Sequence, residues 1–167
     1  MTVDRPEPPD IAPERQMLDG WLDFQRATLA LKCDGLTAGQ LRAAAVPPSS
    51  LTLLGLVRHM AEVERSWFTM VLGGERGPFQ YSSSDNPDGD FEVTDADPDE
   101  AFATWQAECA DARRRAAAAP SLDVTGTTRR GEEVSLRWIM IHMIEEYARH
   151  NGHADLLRER IDGTVGV

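Results

Sequence analysis

From Glu14 to Lys32 apolar side chains return at Met17, Leu18, Trp21, Leu22 and Leu29, the spacing of one helical face. Gly35 closes that helix. The segment Ala45-Val46-Pro47-Pro48-Ser49-Ser50 then breaks the chain and supplies an N-cap for a second helix over about Leu51 to Leu72, closed by Gly73-Gly74. A stretch rich in Gly, Pro, Ser and Asp follows from Glu75 to Asp97. It exceeds the usual loop length and reads as a functional lid or a partly disordered connection. A third helix opens at Pro98-Asp99-Glu100, where proline and acids suit a first turn, and runs to Pro120. Val124-Thr125 and Glu133-Val134 flank Thr128-Arg129-Arg130-Gly131 and predict a small hairpin. The fourth helix spans about Leu136 to Ile161 and stops at Asp162-Gly163. Residues 1–13, with Pro6, Pro8, Pro9 and Pro13, form an extended N-terminal arm. Residues 14–167 make one all-α domain, because four helices with one apolar face each can bury one another as a bundle.

Composition narrows the partners. With 17 Lys and Arg against 28 Asp and Glu the net charge is -11, and the densest basic run, Arg113-Arg114-Arg115, fits a solvated helix face. Nucleic acid is therefore not an expected partner. Cys33 and Cys109 lie far apart, which fits a reduced compartment, and Cys109 follows Phe102 and Trp105 at helical spacing as a buried thiol would. No apolar run reaches the ~20 residues of a membrane span and no signal peptide opens the chain, so a soluble, cytoplasmic protein is expected.

The chemistry sits in the polar residues on the inner faces. On a wheel at roughly 100° per residue, Leu136, Ile139, Met143, Tyr147, Ala154, Leu157 and Ile161 define the apolar arc of helix 4. His150 falls inside this arc and Glu146 on its edge, one turn earlier, while His142 and His153 lie nearer the outer margin. A Glu and a His four apart reach one point, as the ligand pair of zincins does. On helix 2, His59 lies at the edge of an arc of Leu53, Leu56, Met60, Val63 and Trp67, and Gly55 removes bulk beside it. His59, Glu146 and His150 would hold a divalent metal and leave positions open for water or substrate. The same spacing also fits core histidines with a Glu–His hydrogen bond. Spacing alone leaves both readings open.

The segment Ser135-Leu136-Arg137-Trp138, continuing through His142-Met143-Ile144-Glu145-Glu146-Tyr147-Ala148-Arg149-His150-Asn151-Gly152-His153 to Arg158, resembles the final helix of the DinB superfamily. Leu53-Leu54-Gly55-Leu56-Val57-Arg58-His59-Met60 with Trp67 resembles its second helix. The likeness covers the chain beyond the arm and is nearest to an actinobacterial branch related to the mini-circle protein. It implies a DinB-like four-helix bundle with a long crossover between helices 2 and 3 at residues 75–97. It also implies a metal triad whose positions here are His59, Glu146 and His150. Many members carry three histidines; the mycothiol-dependent maleylpyruvate isomerase branch has the same Glu.

Characterised relatives of this kind bind the sulfur of mycothiol or bacillithiol, so the implied activity is S-transfer to a small electrophile. Zinc is the first choice of metal, and nickel, manganese or iron fit the same ligands. The thiol isomerases add a basic C-terminal domain for which this chain leaves no length, which favours a simple transferase. The expected partners are a small-molecule substrate and a second copy of the chain. Two other functions compete: a metallohydrolase with Glu146 as base, and a non-catalytic metal-binding dimer. Around the triad, His142, Arg149 and His153 are candidate supports. Arg149 and Asp155 read first as structural ion pairs, Asp155 with Arg158, and Trp67 and Tyr147 as core and pocket wall.

Overall fold

The computed structural model describes residues 3–166. Helix α1 spans Glu14–Cys33, a one-turn α2 spans Ala38–Leu41, and α3 spans Leu53–Glu64 and continues over Arg65–Leu72 with π-type hydrogen bonding. Helix α4 spans Pro98–Ala118, strands β1 and β2 span Thr125–Thr127 and Glu133–Ser135, and α5 spans Leu136–Asp162. The chain is all-α apart from this antiparallel hairpin, which pairs Gly126 with Val134. Helix α1 lies along α5, and α3 along α4, and these two pairs close the bundle.

The helix ends follow local chemistry. Asp97 caps α4 by accepting from Asp99 N–H, with Pro98 in the first turn, and Ser135 caps α5 by accepting from Trp138 N–H. Gly35 and Gly163 take positive φ after α1 and α5, where a side chain would be strained. The cap of α3 is Thr52, accepting from Gly55 N–H at 2.9 Å, rather than Ser49 or Ser50. The additional turn α2 is stabilised by a capping box between Thr37 and Gln40. Residues 3–13 run along α1, where Arg5 lies over the Phe24 ring and Pro9 packs against Gly20.

One apolar core joins Leu22 and Leu29 of α1 to Leu53, Leu56 and Met60 of α3, Trp105 of α4, and Ile139, Met143 and Leu157 of α5. Trp21, expected on the inner face of α1, is instead 42 % exposed and rests edge-on against Phe24. The core also encloses a polar knot. Glu64 is fully buried and receives both Nε and Nη2 of Arg26 at 2.7 Å, together with the Tyr147 hydroxyl at 2.8 Å. Trp105 Nε1 donates to that hydroxyl at 2.8 Å. A buried carboxylate is costly unless paired and fully hydrogen-bonded, and here three further helices supply the partners. The knot thereby ties α1, α3, α4 and α5 into one register. Cys109 touches it at 3.5 Å from Glu64, and burial pushes its thiol, like that of Cys33, well above the usual range. Both cysteines are inert structural groups.

The crossover 73–97 is fastened to α3 rather than free. Buried Glu62 accepts from the backbone N–H groups of Gln80, Tyr81 and Ser82, at 2.6–2.9 Å. Arg58, four residues earlier, donates to the carbonyls of Gly89 and Glu92 and stacks on Tyr81. Arg58 thereby holds the 3-10 turn Gly89–Phe91 against the first half of α3, while Glu62 fastens the preceding stretch Gln80–Ser82.

Candidate metal centre

His59 on α3 and Glu146 and His150 on α5 converge, with one donor atom of each lying within 4.8 Å of the others. Their side chains are 23 %, 19 % and 12 % exposed, so the cluster sits at the rim of the core rather than inside it. The two helices place it by simple geometry. Met60 and Leu56 anchor α3 beside His59, and Met143, Tyr147 and Ala154 anchor α5 around Glu146 and His150.

Each ligand candidate is oriented by a neighbour. His59 Nδ1 lies 2.8 Å from Asp90 Oδ2, a carboxylate only 5 % exposed, so the proton is assigned to Nδ1 and Nε2 keeps its lone pair. Phe91 stacks on the same imidazole at 4.9 Å. Gly55 makes this possible, because a Cβ there would stand 3.2 Å from the Phe91 ring. The glycine accommodates a residue of the crossover, where the sequence suggests only open space. His150 Nδ1 lies 3.3 Å from His153 Nδ1, and its Nε2 faces Glu146 Oε2 at 3.4 Å. Burial, with His59 and His153 close by, holds His150 neutral by lowering its pKa to about 4.

The donor set fits a divalent metal. A Nε2–Oε2 separation of 3.4 Å is long for a hydrogen bond. It is close to the edge of a tetrahedron built on bonds of about 2.0–2.1 Å, the usual zinc–nitrogen and zinc–oxygen lengths. Two imidazoles and a carboxylate suit zinc and its first-row neighbours.

The surrounding residues divide clearly. His142, Trp67 and Trp138 pack as a triangle, with the His142 ring 4.7 Å from Trp67 and 4.9 Å from Trp138, and His142 Nε2 stands 3.6 Å from Glu146 Oε1. His142, Glu145 and Glu146 form a second, more exposed group of potential donors. Arg149 points outward and pairs with Glu145 at 2.9 Å. Asp155 pairs with Lys32 at 2.5 Å rather than with Arg158, which binds Asp162 and the carbonyls of Lys32 and Asp34 instead. Tyr147 is core, and half-buried Trp67 is wall. Asp90 and Phe91 carry no sequence signal: Asp90 is one of several acids in a Gly/Asp-rich stretch, and only the fold brings it to His59.

A long-crossover helical bundle with His59, Glu146 and His150 gathered on its second and last long helices is the arrangement of DinB-like proteins. The model of one family in that class, MST: Mycothiol-S-transferase, matches residues 17–163, and the chain belongs to this family. No curated protein matches it. No helix among the described residues is long and apolar enough to cross a membrane.

Proposed function

We propose that the protein is a metal-dependent S-transferase that joins a mycothiol-type low-molecular-weight thiol to a small electrophile, with the metal, zinc by preference, on His59, Glu146 and His150. The observation that carries this reading is the convergence of these three donors from two helices in a chain of the mycothiol S-transferase family. When bound, the metal supplies Lewis acidity that lowers the pKa of a coordinated thiol.

The protein's own groups do the remaining work. Asp90 fixes the His59 tautomer and raises the basicity of Nε2. His153 orients His150, and burial keeps it unprotonated at neutral pH. His142 Nε2, 3.6 Å from Glu146 Oε1, is placed to take the thiol proton, while Trp67 and Trp138 pack on its ring and offer an apolar wall to the electrophile. The sulfur would then add to the electrophilic carbon of an activated double bond, and the proton held at His142 would go to the neighbouring carbon, so that no leaving group departs and positioning is what the protein adds. A homodimer belongs to the same proposal.

Cobalt substitution tests it. The purified protein should take up one equivalent of metal, lose that capacity as His150→Ala, and change its visible cobalt spectrum on addition of mycothiol. A spectrum that mycothiol leaves unchanged would overturn the thiol reading and favour the hydrolase. Full metal uptake by Glu146→Gln would overturn the ligand assignment.

A further inference from the structure

A cavity lies away from the triad, where the π-helical end of α3 meets the hairpin. It measures about 740 Å³ and is lined by Ser66 and Met70 of α3, Thr125 and Thr127 of β1, Arg76 and Arg129. That volume lies within the ordinary range for small-molecule sites. The hairpin forms one wall because Gly126 lies directly on α3: a Cβ there would meet the Val71 carbonyl at 2.2 Å.

Its charge runs against the rest of the molecule. In a chain of net charge -11, the one acidic residue lining this cavity is Glu75, and Arg115 engages it at 2.6 Å. Arg129 has no carboxylate partner among the described residues. Its guanidinium is exposed to solvent and packs over the Phe79 ring at 4.1 Å, with Nη2 3.5 Å from Met70 Sδ. Arg76 likewise makes no ion pair among the described residues. Threonine hydroxyls lining the same cavity as a guanidinium without a carboxylate partner suit a carboxylate or phosphate.

The cavity is also within reach of the triad. Ser66 follows His59 by seven residues, about 10 Å along a helix, and between them Trp67 touches His142. We propose that this cavity binds the anionic end of the small-molecule acceptor, whose reactive end lies at the His59–Glu146–His150 cluster. The protein would thus select elongated acidic electrophiles with an apolar middle set against Trp67 and Met70. This rests on the transferase reading for the acceptor's role, but anion binding at Arg129 can be measured apart from it.

The probe is 4-phenylbutyrate against its neutral amide, by calorimetric titration of the full-length protein. The acid should bind about tenfold more tightly than the amide, the size expected of one charge-assisted contact of about 1.4 kcal/mol. Arg129→Gln should abolish the difference, with the melting temperature confirming an intact fold, and Arg129→Lys should restore part of it. The preference should survive in His150→Ala. Equal binding of acid and amide, or a preference that Arg129→Gln retains, overturns the inference. So does a preference lost in His150→Ala, which would place the carboxylate on the triad. If the acid preference holds at Arg129 but cobalt uptake fails, the transferase reading falls and the anion site stands.

Discussion

Replacing Asp90 tests whether the crossover takes part in metal binding. The carboxylate accepts the His59 Nδ1 proton at 2.8 Å and is almost fully enclosed, so little water stands ready to replace it. In Asp90→Asn the amide oxygen can still accept, but the contact falls from a charge-assisted bond of about 1.5–3 kcal/mol to a neutral one of about 0.5–1.5 kcal/mol. The difference, about 1–1.5 kcal/mol, is a loss of about tenfold in metal affinity. Asp90→Ala removes the contact, frees the His59 tautomer and should cost closer to a hundredfold. Competition with a chromogenic chelator measures both losses, and urea unfolding of the metal-free proteins corrects for any change in the fold. The reasoning fails if Asp90→Ala binds metal as tightly as the unaltered protein, or if Asn and Ala cost the same. Either result would mean that Asp90 supports the turn Gly89–Phe91 and leaves the electronics of His59 alone.

Two other expectations concern stability. Glu64→Gln strands the buried Arg26 and should cost about 3–5 kcal/mol, which for a chain of this size lowers the melting temperature by about 6–20 °C; Asp23→Asn, whose carboxylate is half exposed on the same arginine, should change it far less, and similar losses in the two variants would refute the buried knot. The pH dependence follows from His150: the unfolded chain protonates it near its ordinary value of about 6.5, the folded protein only near 4. The metal-free protein therefore keeps this contribution above pH 6.5 and loses it as the pH falls towards 4. The urea midpoint should drop less between pH 7 and pH 5 in His150→Gln than in the parent, and equal drops would refute the assignment.

The long helices and the three converging donors are legible from one sequence because they depend on local periodicity. Leu136–Asp162 reads as a helix along its whole length, and Glu146 and His150 share a face by spacing alone. The polar knot is written in the same code. Arg26 stands between Leu22 and Leu29, and Glu64 between Met60 and Phe68, at inward positions of α1 and α3. A wheel drawn for those helices marks both as buried charges that need a partner. Which partner they find is tertiary information. The turn α2 has its own signature in Thr37 and Gln40, but four residues carry little periodic weight. Asp90 and Phe91 are different: their place depends on Glu62 and Arg58 grasping backbone N–H and C=O groups of the crossover, and backbone donors and acceptors leave no trace in residue identity. The end of α3 shows the same limit. Nothing in Arg65–Leu72 announces π-type bonding, which follows from packing against α4 and the hairpin.

The crossover's hold on His59 separates two things usually inherited together. The three donors are fixed by helices whose inner faces must fill the core, so few substitutions there are tolerated. Asp90 and Phe91 sit on a short turn outside the long helices, whose backbone Arg58 holds and whose Phe91 packs on Gly55 and His59. The affinity and acidity of a metal on this cluster would thus be set in part from outside the helices that carry its donors. Exchanging the turn would then retune the cluster with the three donors untouched.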